Sequence, residues 1–81
     1  MERIGAVIVI IKDRKRSASK VNEILSQYGD IIIGRMGIPY RKKNLSIISL
    51  IVEGNTDVLG AMTGKLGMLE DVEVKSILVT K

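Results

Sequence analysis

The stretch IGAVIVII, residues 4–11, decides how the rest of the sequence is interpreted. It is aliphatic at almost every position and rich in β-branched residues, which is typical of a strand covered on both faces. A second segment of this kind, residues 45–53, is apolar except at Ser46, Ser49 and Glu53. Two such strands in a chain of 81 residues predict a sheet whose centre is apolar on both sides.

The first helix is predicted between these two strands, from Arg16 to Tyr28. Apolar side chains recur there at three- and four-residue spacing, with polar residues between them. Asp13, Ser17 and Ser19 are alternative N-caps, since short oxygen-bearing side chains accept hydrogen bonds from the first free N–H groups of a helix. Gly29 stands where a residue in the left-handed conformation commonly ends a helix.

The remaining segments complete a six-element pattern. Residues 30–38 are predicted to form a strand that Pro39 ends, because proline has no N–H to offer a neighbouring strand. Asn55 is predicted to cap a second helix that runs to about Leu66. Residues 72–80 alternate in polarity and are predicted to form the last strand.

The resulting order is βαββαβ, and it predicts an α+β fold. Two right-handed βαβ units interleave most simply in one antiparallel sheet of strand order 4-1-3-2, with both helices on one face. This is the ferredoxin-like fold, here as a single domain of residues 1–81. The two strands that carry Asp30, Arg35, Glu73 and Lys75 become the edges, where charge protects against unwanted pairing.

The sheet face opposite the helices predicts self-association. Large aliphatic residues occupy both parities of the first and third strands, and only one parity can face the helices. The other would leave an apolar surface larger than the few hundred Å² that monomers usually expose. We therefore expect a homo-oligomer that buries this face.

Composition argues against catalysis. The sequence has no histidine and no cysteine, so it lacks the commonest general base, metal ligand and thiol nucleophile. Its nine carboxylates do not recur at a metal-binding spacing. We expect no enzyme activity, no cofactor and no metal site.

No apolar run approaches the roughly 20 residues of a membrane helix, and without a secretory pattern or cysteines the expected location is the cytoplasm.

Residues 60–65, GAMTGK, bear a faint likeness to a phosphate-binding loop. The spacing is one residue short, and Leu66 stands where a magnesium-binding hydroxyl belongs. The preferred interpretation is structural: Gly60 and Gly64 lie one turn apart and would let the helix approach a neighbouring element closely.

The net charge of +4 makes nucleic acid an alternative partner. Basic residues gather in residues 12–16 and 41–43, which are also where solvated loops are expected. RNA-binding domains with this strand order stack bases on aromatic residues of the central strands, and this sequence has no Phe or Trp there. What remains is nonspecific, salt-dependent contact with phosphates.

Residues 13–30, a loop leading into an amphipathic helix that ends LSQYGDI, resemble the first βα unit of ACT regulatory domains. The closing LEDVEV, residues 69–74, is similar to their last turn, although the Pro-Gly of the ACT ligand loop is missing. The segments NEIL (22–25), RMGIPYR (35–41) and TGKLG (63–67) resemble the iron-only hydrogenase system regulators, which are small ACT-like proteins.

This resemblance implies a regulatory role in a hydrogenase system and a small effector or a partner protein. Nickel sensing, which related regulators perform with histidine and cysteine, is not implied for a chain without either residue. The ACT-like loop suggests effector-binding roles for Asp13, Arg14 and Ser17. The hairpin turn adds Arg35, Tyr40 and Arg41 as candidate contacts, although loop positions such as these are also ordinary surface.

Overall fold

The computed structural model describes residues 2–79, apart from the side chain of Arg14. The elements follow the order β1 (Arg3–Ile11), α1 (Arg14–Gln27), β2 (Ile32–Tyr40), β3 (Leu45–Gly54), α2 (Thr56–Gly67) and β4 (Val72–Leu78). Short 3-10 turns, Gly29–Ile31 and Arg41–Lys43, precede β2 and join β2 to β3. The predicted last strand is present, but Thr80 lies outside the described residues.

The four strands form one antiparallel sheet of order β2-β3-β1-β4, which confirms the predicted arrangement. β1 and β3 are central, as their apolar character on both faces requires. The charged residues Arg35, on β2, and Glu73 and Lys75, on β4, lie on the edge strands as predicted, whereas Asp30 lies in the 3-10 turn before β2. The register places Ile8 opposite Ser49 on one side and Lys75 on the other.

The core lies between the sheet and the two helices. One parity of the central strands is fully or nearly fully buried, and it meets the apolar faces of α1 and α2; the core residues are Val7, Val9, Ile11, Val21, Leu25, Ile48, Leu50, Val52, Leu59, Met62, Leu66 and Val72. Burying each large aliphatic side chain contributes about 1.5–3 kcal/mol. The helices therefore share one side of the sheet.

Several predicted boundaries shift. α1 begins two residues earlier than its apolar spacing indicated, because Asp13, one of the three alternative caps, takes the N-cap position. Gly29 does not adopt a left-handed conformation; Tyr28 is the C-cap and the chain continues into a 3-10 turn. Pro39 does not end the second strand either. It lies within β2, which it tolerates because β2 is an edge strand.

The prediction about the α2 glycines is wrong within this chain. A Cβ added to Gly60 or Gly64 would meet no atom within 4 Å, so neither glycine permits a close approach. Such an approach occurs instead at Gly5, where a Cβ would lie 2.6 Å from Leu78 Cδ2 and 2.9 Å from the Ile77 carbonyl oxygen.

The other parity of the strands forms what we call the open face, the side of the sheet turned away from the helices. It carries mostly apolar side chains; the exposed ones are Ile4, Ile8, Met36, Ile38, Tyr40, Ile51, Ile77 and Val79. Ile8, at the middle of the central strand, is 38% exposed, whereas its neighbour Val9 is fully buried. No element among residues 2–79 covers the open face.

Candidate functional site

A concave surface of the described residues runs along α1. A cavity of about 570 Å³ at the start of the helix is lined by Asp13, Lys15, Ala18 and Asn44. A second cavity, of about 250 Å³, adjoins it and shares Ala18, then continues between α1 and the edge strand β2. We call the two cavities together the α1–β2 trough.

The trough exists because the second half of β2 has no large apolar residue on its helix side. After Ile32, which packs against the core, the positions of β2 that face this way are Arg35, Gly37 and Pro39, paired with Leu50, Ile48 and Ser46 of β3. Neither Gly37 nor Pro39 carries a side chain long enough to reach α1. The floor is therefore formed by the buried side chains of Ile11 and Ile48.

Asp13 holds the open end of the trough in place. Its carboxylate accepts a hydrogen bond from the Arg16 N–H at 3.3 Å, and its carbonyl oxygen accepts from the N–H groups of Arg16 and Ser17. This is N-cap geometry, which typically stabilises a helix by about 1 kcal/mol. Asp13 thus combines a structural role with a place on the cavity wall.

Arg35 crosses the far end of the trough. Its Nη2 donates to the Oδ1 atom of Asn22 on α1, and both residues are exposed. The guanidinium has further N–H groups, so a carboxylate or phosphate entering the trough would find a donor there. Lys15 supplies a second cation near the open end.

Ser17 and Tyr40 belong to other surfaces. Ser17 is buried, and its hydroxyl donates to the Glu70 carbonyl oxygen at 2.8 Å, which fastens α1 to the turn before β4. Tyr40 lies on the open face opposite Leu45. The trough therefore brings together Asp13 and Arg35 but not these two residues.

The last two predicted residues lie at the tip and at the start of α1. Arg41 is exposed in the 3-10 turn between β2 and β3, next to Lys42 and Lys43. Arg14 is the first residue of α1, and its side chain lies outside the described part of the structure. The turn reaches the trough through Asn44, which adopts a left-handed conformation with φ of 56°.

Ion pairs connect the residues around the start of α1 to β4 and to the turn before it. Lys12 Nζ lies 2.7 Å from Glu73 Oε2, and this hydrogen bond, helped by the opposite charge, raises the pKa of Lys12 and lowers the pKa of Glu73. Arg16 Nη1 is 3.4 Å from oxygens of both Glu70 and Asp71. All these groups are at least partly exposed, so each pair contributes little stability.

The sequence analysis gave no effector-binding role to the trough residues Lys15, Ala18, Asn22 and Asn44. Lys15, Ala18 and Asn22 follow the three- and four-residue spacing of one helix face, which a helical wheel can show. A helical wheel cannot show that this face lines a cavity, because the cavity depends on Gly37 and Pro39 of β2. No group of three or more His, Cys, Asp or Glu residues within residues 2–79 is arranged to hold a metal ion.

Comparison with protein families places the chain. The family model TM1266-like, described as "Iron-only hydrogenase system regulator, putative", matches residues 3–76. The chain belongs to the TM1266-like family. The resemblance seen in the sequence is thus confirmed. A comparison with curated proteins found no match.

Solved structures agree on the fold of this TM1266-like chain. The uncharacterized protein TM1266 from Thermotoga maritima is 32% identical, with a TM-score of 0.95; the alignment covers 99% of this chain and 100% of that one. A structure described as a putative glycine cleavage system transcriptional repressor has a TM-score of 0.73 at 13% identity, covering 100% of this chain and 48% of that one. The C-terminal domain of MgtC from Mycobacterium tuberculosis has a TM-score of 0.68 at 14% identity, covering 95% and 87%. The last two likenesses concern the fold alone.

Among residues 2–79, no helix has both the length and the apolar character needed to cross a membrane.

Proposed function

We propose that this TM1266-like chain is a non-catalytic regulatory module of a hydrogenase system, which self-associates through its open face and binds a small effector in the α1–β2 trough. The family description supports the regulatory role. The observation that carries the proposal is the open face, because a folded chain that leaves the centre of its sheet uncovered has a surface still to be buried.

The size of the open face suits an interface between two copies. Four strands about 4.8 Å apart and nine residues at about 3.3 Å each give a flat area of roughly 600 Å². Stable protein interfaces bury about 1,200–2,000 Å² in total, or at least about 600 Å² per partner. The face is also unusually rich in isoleucine for a solvated antiparallel sheet, in which one side normally alternates with polar residues.

The chemistry of the trough supports the proposed effector site. Its floor is apolar, Lys15 and Arg35 stand along it, and Asp13 is the carboxylate at its wall. An anion or a zwitterion with a small apolar body matches this arrangement. A partner protein that presents an acidic side chain would meet the same groups.

Assembly is tested by placing charge on either side of the sheet. Ile8→Asp and Ile47→Asp introduce a carboxylate on the open face, whereas Val9→Asp and Ile48→Asp bury one in the core. We expect the first pair to fold and to sediment as monomers, because a solvated charge opposes burial of the face. The second pair should unfold. A wild-type protein that sediments as a monomer at micromolar concentration would contradict self-association.

A further inference from the structure

The apolar side chains of the open face form a broad diagonal band, which includes Ile4, Met36 and Ile51 and leaves two corners with charged residues. At one end of the band lie Ile38 and Tyr40, on the last half of β2; at the other lie Ile77 and Val79, at the end of β4. Ile8 lies between them on the central strand. The pairing register connects these positions across the four strands.

The two corners beside the band are polar and differ in charge. On the first half of β4, Glu73 is paired with Lys12, which leaves Lys75 as the net positive charge of that corner. At the opposite corner, Glu53 at the end of β3 shares a small cavity with Glu2 and Arg3, and these three residues carry one net negative charge. Within residues 2–79, neither Glu53 nor Lys75 forms an intrachain salt bridge.

These corners are too far apart to pair within one chain. Glu53 is opposite Ile4 and Lys75 is opposite Ile8, so the two charges are offset by four residues and two strand spacings. Strand geometry makes that separation about 16 Å. Each charge is thus available to a second copy.

We infer that two copies meet face to face about a twofold axis that runs along the apolar band, so that Lys75 of each copy lies over Glu53 of the other. This inference rests on the proposed self-association. When identical faces pack together, the twofold axis lies in the plane between them. An axis along the band places each corner over the opposite corner of the other copy.

The alternative axis, across the band, would also bury the apolar residues against each other. It would bring Lys75 near Lys75 of the other copy and leave Glu53 of both copies far from either lysine. Like charges across an interface oppose association and suppress the arrangement that brings them together. Charge complementarity therefore selects the axis along the band, whereas apolar burial alone does not distinguish the two.

A charge exchange tests this axis. The dissociation constant of the assembly is measured by sedimentation at low salt for wild type, Glu53→Lys, Lys75→Glu and the double variant, with a thermal melt to confirm that each folds. We expect each single variant to weaken association at least tenfold, because it places like charges together twice. The double variant should return to within threefold of wild type. Lys42→Glu, which makes the same change of charge at the hairpin tip, is the control and should have no effect.

The other outcomes show whether self-association or only the proposed axis is wrong. If the wild type is a monomer, self-association and the axis are both wrong. If Ile8→Asp disrupts an oligomer but the single exchanges leave the dissociation constant unchanged, the open face is the interface and the axis is wrong. A double variant weaker than either single one would likewise overturn the axis and leave the proposed function in place.

Discussion

Ser17 and Arg35 show how residues of one predicted site take different roles in the fold. Ser17 points toward the turn before β4 and uses its hydroxyl on the Glu70 carbonyl oxygen. Arg35 instead lies at the trough surface with its guanidinium partly occupied by Asn22. A buried serine with a backbone partner serves stability, whereas an exposed arginine beside a cavity is free to serve binding.

This difference is measurable in a thermal-shift screen of amino acids, nucleotides and small carboxylates. A ligand at 100 times its dissociation constant stabilises the folded state by about 2.7 kcal/mol. Arg35→Gln should fold normally and lose the ligand-induced shift, because it removes a cation from the trough. Ser17→Ala should lower stability by about 1 kcal/mol, the typical value of one hydrogen bond, and should keep the ligand-induced shift. An unchanged shift in Arg35→Gln would move the site away from the trough.

At the scale of an element, α2 contains three glycines in twelve residues: Gly60, Gly64 and Gly67. Glycine lowers helix stability by about 1 kcal/mol relative to alanine, because it loses more backbone freedom on folding. α2 is held by the burial of Leu59, Met62 and Leu66, on the face opposite these losses.

Gly60→Ala and Gly64→Ala should therefore each stabilise the protein by about 0.4–1 kcal/mol. Open space surrounds both positions, so the added methyl group meets no atom within 4 Å. The matched control is Gly5→Ala, whose methyl group would press on the Ile77 carbonyl oxygen and on Leu78. It should destabilise by about 1–3 kcal/mol. Urea unfolding of the three variants measures these values, and a destabilised Gly60→Ala would mean that α2 packs against something beyond this chain.

The sequence predicted which helices and strands form, but it did not predict the residues at which they begin and end. The aliphatic run of β1 and the apolar spacing of α1 dictate their types whatever surrounds them. Pro39 was expected to end β2, but an edge position leaves one side of the strand without a hydrogen-bonding neighbour. The strand order predicted from the sequence already placed β2 at the edge of the sheet. Edge strands tolerate proline, so Pro39 did not have to end the strand. Gly29 shows the same limit, since Tyr28 already caps α1.

The candidate site was predictable in part for a related reason. Asp13 and Arg35 lie on segments whose position follows from the fold, one at the start of α1 and one on β2. Both residues line the trough because Gly37 has no side chain to fill the space between β2 and α1. A void is a property of packed elements, so no spacing of residues along the chain predicts it.

At the scale of the whole molecule, basic residues gather at one end, around the start of α1 and the hairpin tip. Lys12 and Arg16 are paired there with carboxylates of Glu70, Asp71 and Glu73. At this end of the molecule, the exposed cations without such a pair among the described side chains are Lys15, Arg41, Lys42 and Lys43. The surface open to phosphates is thus smaller than the sequence indicated, which favours the regulatory proposal over the nucleic-acid alternative.

Binding to duplex and single-stranded oligonucleotides compares the two functions directly. Four phosphate contacts at about 0.9 each would give a salt slope of about 4, and a loss of affinity near a hundredfold between about 50 and 200 mM salt. We expect no detectable binding at about 150 mM salt, where so few contacts supply little affinity. The double variant Lys42→Ala, Lys43→Ala should then leave stability within about 0.5 kcal/mol of wild type, as is usual for exposed positions. Submicromolar binding at that salt, lost in this variant while Ile8→Asp retains it, would instead identify the hairpin tip as a nucleic-acid contact that works without assembly.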